Sequence, residues 1–198
     1  MKKQFIALAL CAVVLFGVFA FTACKTDEGK TKTVYEVLND LAAKQRDKVT
    51  LTVVTTVGED TLTSTYNATV ADGATKVEYS VQSLAKLSAD CATTARVETK
   101  SGSYVVKDGK VVQQDGQNCD ISLDNVTLGK INFAKAYFKD VQDVEGKFAA
   151  KVVDADGFVG NKNATDMTVE VAYTKDAISS LKITYTLSNA AVTMTYTF

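Results

Sequence analysis

From residue 49 to the C-terminus the chain keeps returning to one pattern, an apolar residue and then a polar one, interrupted by turns that carry glycine and aspartate. Val49, Leu51, Val53 and Val57 lead up to Gly58-Glu59-Asp60, and Leu62, Tyr66, Ala68 and Val70 lead away from it. After Asp72-Gly73 come Val77, Tyr79 and Val81, and residues 104–107 and 110–113 flank Asp108-Gly109, a strong hairpin signal. Three further runs end the chain: Met167, Val169, Val171 and Tyr173; Leu181, Ile183, Tyr185 and Leu187; Val192, Met194, Tyr196 and Phe198. Side chains on a strand alternate between its two faces, so these residues share one face, while Thr184, Thr186, Thr193, Thr195 and Thr197 take the other. A sheet that is apolar on one face and threonine-bearing on the other is covered on one side only. With roughly six to nine such strands, the apolar face must curl around something.

The chain supplies two pieces of cover. Thr33-Val34-Tyr35-Glu36 has the form of a capping box. Val34, Val37, Leu38 and Leu41 then recur at helical spacing, and Lys44 and Arg46 suit the negative end of the helix dipole. An amphipathic helix of about three turns follows from this. The second piece is residues 122–162, where Ile131, Phe133, Ala134, Tyr137 and Phe138 suggest a short helix or helical turn. Within it residues 148–153 read as a strand and 157–163 as a loop. The expected fold is α+β: an N-terminal amphipathic helix on a curved, mostly antiparallel sheet, half-barrel-like, with one short helical insertion. Phe133, Tyr137, Phe138, Phe148 and Phe158 form an aromatic cluster in the least regular region. They line a cavity for an apolar ligand, or they fill the core between helix and sheet.

The chemistry open to the chain is narrow. It has no histidine, proline or tryptophan, so triads and metal sites that depend on imidazole are excluded. The formal charge is −1, with no basic field to favour nucleic acid. Asp154-Ala155-Asp156-Gly157 is a fragment of a calcium loop, but Phe158 stands where an oxygen ligand is required and no glutamate closes the loop. It reads as an ordinary turn, and no metal or other cofactor is expected. No pair of carboxylates stands out for acid–base work, so the chain reads as non-enzymatic.

The N-terminus says where such a domain works. Lys2 and Lys3 precede an apolar run over residues 5–21, the layout of a secretory signal. Phe21-Thr22-Ala23-Cys24 then resembles a bacterial lipobox. That resemblance implies a signal peptide at 1–23, a lipidated tether at 24–32 with diacylglycerol on Cys24, and a single domain at 33–198. It places the domain outside the cytoplasm, on a membrane of the bacterial cell envelope. Ordinary cleavage near Ala20 and an uncleaved membrane helix are the alternatives. With Cys11 in the leader and Cys24 lipidated, Cys91 and Cys119 remain; in an exported chain they most simply form one disulfide, the alternative being two free thiols.

The order of elements, a helix after a lipidated cysteine and then an antiparallel sheet with a helical insertion, is similar to the half-barrel of bacterial lipoprotein carriers and mycobacterial lipid-binding lipoproteins. In those families sheet and lid enclose a cavity for acyl chains. Two functions are therefore expected: a structural or interaction lipoprotein that meets another surface protein, or a carrier of a lipid or other hydrophobic ligand between sheet and helices.

Overall fold

The computed structural model describes residues 32–44, 46–85, 96–116 and 123–198. Cys24, Cys91 and Cys119, and with them the expected leader, anchor and disulfide, lie outside those residues. The chain divides into Met1–Lys32 and Thr33–Phe198, and the fold is that of the second unit.

The helix begins at its capping box. The Thr33 hydroxyl accepts the Glu36 amide at 3.4 Å and the Glu36 carboxylate accepts the Thr33 amide at 2.7 Å, ahead of α1 (Val34–Ala43). Leu38 and Leu41 form its buried stripe. Five strands follow: β1 (Lys48–Val57), β2 (Asp60–Ala71), β3 (Ala74–Ala85), β4 (Arg96–Lys107) and β5 (Lys110–Gly116). A crossover then carries α2 (Leu123–Val126) and two 3-10 turns, at Leu128–Lys130 and Lys135–Tyr137. Beyond it come β6 (Phe138–Val144), β7 (Lys147–Val152), α3 (Ala155–Val159), β8 (Ala164–Tyr173), β9 (Ile178–Leu187) and β10 (Ala190–Thr197).

Among the described residues ten strands make one antiparallel sheet, ordered β5-β4-β3-β2-β1-β10-β9-β8-β7-β6. It consists of two meanders. The first runs from the middle of the sheet out to β5; the second enters at the opposite edge, β6, and returns to the middle. There β1 and β10 pair, with Leu51 opposite Tyr196 and Val53 opposite Met194. The sheet is open, with β5 and β6 as its edges, and does not close into a barrel. The hairpins Asp72-Gly73, Asp108-Gly109 and Glu145-Gly146 hold both residues at positive φ, the turn whose twist matches that of the flanking strands.

One face carries the core. Leu38 and Leu41 of α1 share it with Leu51, Val77, Val169, Leu181 and Ile183 of the sheet and with Val126 and Leu128 of the crossover. On the other face threonines meet across strands, Thr52 opposite Thr65 and Thr195, and Thr184 opposite Thr193.

Three segments differ from the sequence expectation. Phe138 opens a strand, β6, where only a helical turn was expected. Of its seven residues Phe138 alone is buried, so an edge strand of this kind carries no apolar alternation to read. β4 starts at Arg96, well ahead of the expected strand, where it pairs with β3; residues 97–101 are exposed, so no apolar alternation marks them. Asp154-Ala155-Asp156-Gly157, read as an ordinary turn, is the N-cap and first turn of α3, which runs on to Val159 in the stretch expected to be a loop from 157. The Asp154 carboxylate accepts the Gly157 amide at 2.8 Å, and Gly160 ends the helix at φ 71°. Five residues are too few to show a helical period.

Candidate functional site

The structure brings four of the five expected aromatic residues into one cluster. Phe133 comes from the crossover, Phe138 from the first position of β6, Phe148 from β7 and Phe158 from α3. All four are buried, Phe133 and Phe158 completely. Their ring centroids lie 5.1 to 6.1 Å apart, mostly edge to face, the arrangement favoured by aromatic quadrupoles. Tyr35 of α1 adds a fifth ring, 6.0 Å from both Phe138 and Phe148. Tyr137, the fifth expected residue, is only half-buried and lies over Gly157, where a Cβ would stand 2.6 Å from its ring. These phenylalanines pack against one another. They fill the core at this end of the sheet.

Backbone-directed polar contacts lock the crossover in place. The Asn39 side chain pairs with the backbone of Phe133 in both directions, its Nδ2 donating to the carbonyl at 2.9 Å and its Oδ1 accepting the amide at 2.8 Å. Tyr196 donates its hydroxyl to the Asn125 carbonyl at 2.8 Å, and the Asn132 amide donates to the Phe158 carbonyl at 3.0 Å. Nothing in the sequence singled out Asn39: it is one polar residue on a helix, and its partner is far along the chain.

The apolar face is less completely filled beside α1. A hollow of about 620 Å³ is lined by Ala42, Arg46, Val49, Val70, Leu128 and Ile131, among others. A second, of about 380 Å³, lies between the crossover and β1, β2, β9 and β10, with Val53, Tyr66, Ile183, Tyr185 and Met194 in its wall. Ile131 borders both. Arg46 occupies the first hollow's polar corner. Its guanidinium donates to the carbonyls of Leu41 (2.8 Å), Ala42 (3.1 Å) and Lys44 (2.9 Å), so it caps the C-terminal end of α1. It also stands 4.3 Å from the centroid of the Phe198 ring, a cation–π contact. Among the described residues no carboxylate pairs with it.

No polar or charged residue is fully buried among the described residues, and none of their His, Cys, Asp and Glu side chains gather in groups of three or more that could hold a metal ion. No described helix is long and apolar enough to cross a membrane. Among the described residues the hydrogen bonds from Lys76 and Lys151 lower the pKa values of Glu78 and Asp140, burial lowers that of Arg46, and three phenols are raised. Burial, then the hydrogen bond to Asp143 at 2.7 Å, raises Tyr173; burial, then the neighbouring Tyr185, raises Tyr196; burial raises Tyr185. Each folded-state pKa lies above its unfolded value, so the stability these phenols contribute is whole below about pH 10, the ordinary phenol pKa, and is lost as pH rises beyond it. Thermal melts followed by circular dichroism are expected to give a level midpoint through neutral pH that falls above about pH 10. Tyr173→Phe is expected to make the fall shallower.

Compared with known proteins, the chain matches no protein-family model and no curated protein.

Proposed function

We propose that this is a non-enzymatic bacterial lipoprotein, held outside the cytoplasm on an envelope membrane by lipid on Cys24, which acts by contact with another protein through the edge strand β5. The observation that carries this reading is the strand itself. All seven residues of β5 are exposed, with Val111 and Val112 at 59% and 60%. One side of the strand pairs with β4 and the other has no strand beside it among the described residues. Such an edge presents backbone donors and acceptors to an extended segment of a partner. β5 carries one register shift of its own, opposite Val105 and Val106 of β4; the opposite edge has an ion pair at its shift as well. β6 shifts register between Lys139 and Gln142, where Asp140 sits at φ 53° and pairs with Lys151 at 2.9 Å. The burial of Phe133, Phe138, Phe148 and Phe158 against one another supports the same reading. We further infer that the sheet curves in the manner of a half-barrel, which would let one core include Leu38 of α1, Tyr104 of β4 and Phe138 of β6.

The test is a photo-crosslinking amino acid placed at Gln113 of β5 or at Thr193 of the threonine face, in cells carrying the full chain. Adducts are expected from position 113 alone and are expected to disappear with Val112→Lys, a charge that guards an edge. Equal adducts from both positions would remove β5 as the contact. In the same cells Cys24→Ala is expected to move the folded domain to the soluble fraction; retention in the membrane would remove the anchor.

A second reading, a carrier of a hydrophobic ligand, is favoured by the hollow beside α1. In this reading the ligand site shifts from the aromatic cluster to that hollow.

A further inference from the structure

Resting on that second reading, we propose that the hollow at the C-terminal end of α1 binds an aliphatic carboxylate, its head on Arg46 and its tail on Val49, Val70, Leu128 and Ile131. The volume, about 620 Å³, falls within the roughly 300 to 1,000 Å³ of small-molecule sites. Val49 of β1, Val70 of β2 and Leu128 and Ile131 of the crossover give it an aliphatic wall, Asn39, Thr75, Thr127 and Asn132 add neutral polar groups, and the two ionisable residues that line it, Lys44 and Arg46, are both basic. Lys44 spends a donor on the Asp176 carbonyl at 2.7 Å.

Arg46 decides the class of head group. A guanidinium has five N–H donors. Nη1 gives two, to Ala42 and Lys44, and Nη2 gives one, to Leu41. The two left are Nε–H and one N–H of Nη2. The Nε–Nη2 edge of the fork is one that a carboxylate matches with two parallel hydrogen bonds. A neutral head would leave the charge without a counter-ion, and an ammonium would meet two cations. The charge is already tied to the helix end, so little freedom is lost when an anion docks, and the Phe198 ring holds the guanidinium plane.

The experiment is isothermal titration of the purified full-length chain with octanoate, octanol and octylamine, each below its aggregation threshold. Octanoate is expected to bind saturably at one site, with octanol and octylamine at least tenfold weaker. Arg46→Met is expected to weaken octanoate at least tenfold. Because Arg46 also caps α1, a second variant, Thr75→Phe, fills the hollow from β3 and leaves the cap in place. It is expected to abolish binding with its circular dichroism unchanged. Octanol as tight as octanoate, or Arg46→Met binding like the wild type, would overturn the anionic head while leaving the carrier reading intact. Octanoate binding that Thr75→Phe does not weaken would overturn the location. Absence of saturable binding by all three would overturn both the proposal and the carrier reading.

Discussion

Phe133→Ala is expected to lower the free energy of unfolding by about 3 to 5 kcal/mol, the range for removing a large buried aromatic from a core that relaxes only partly. Phe133 is fully buried and touches three other phenylalanine rings, Phe138, Phe148 and Phe158, at 5.5 to 6.1 Å. Those rings come from β6, β7 and α3, so the void left by alanine cannot close without moving three elements at once. Phe158→Ala is expected to cost a comparable amount, since its ring meets both Phe133 and Phe138. Urea denaturation followed by far-ultraviolet circular dichroism measures both. A change below about 1 kcal/mol, far under the usual cost of a core aromatic, would mean that the cluster is loosely packed and that a ligand completes it.

Asn39→Leu is expected to cost about 2 to 6 kcal/mol, because it leaves two backbone groups of a half-buried segment without partners at about 1 to 3 kcal/mol each. Leucine keeps much of the side-chain volume, so lost packing contributes little and the effect isolates the two hydrogen bonds to Phe133. Asn39→Asp separates them further. The carboxylate still accepts the Phe133 amide but cannot donate to the Phe133 carbonyl, and at neutral pH it faces that oxygen with a negative charge. Part of its loss is expected to be recovered in acid, where the protonated carboxyl donates again. Hydrogen exchange at the Phe133 amide, read beside the denaturation curve, checks the mechanism. If Asn39→Leu exchanges no faster there than the wild type, the clamp is not what holds the crossover on α1.

The two large effects meet at one residue, Phe133, and the sequence made only one of them visible. Phe133 stands out as an aromatic residue in an irregular stretch, but whether it faces a ligand or other rings depends on what lies opposite. Phe148 and Phe158 arrive there from separate elements, and Tyr35 from α1. Arg46 was legible as a cation near a helix end. That three carbonyls and a terminal phenylalanine hold it beside a hollow was not, because Val70 and Leu128 reach the same hollow from other elements.

What the amino-acid sequence determined by itself is local. Thr33 and Glu36 start α1 through contacts three residues apart. Asp72-Gly73 and Asp108-Gly109 tolerate positive φ and so turn hairpins. The period of two divides valine, leucine and tyrosine from threonine on opposite faces, since each choice is made within a few residues. Edge strands such as β5 and β6 escaped that logic in part, because exposure on both faces removes the alternation. The tertiary structure alone decided that β10 pairs with β1, that β5 and β6 become the edges, and that the phenylalanines pack together. It also decided that Asn39 closes on a backbone 94 residues away. These are long-range contacts selected by the burial of a shared face, and no pattern within a single segment records its partner.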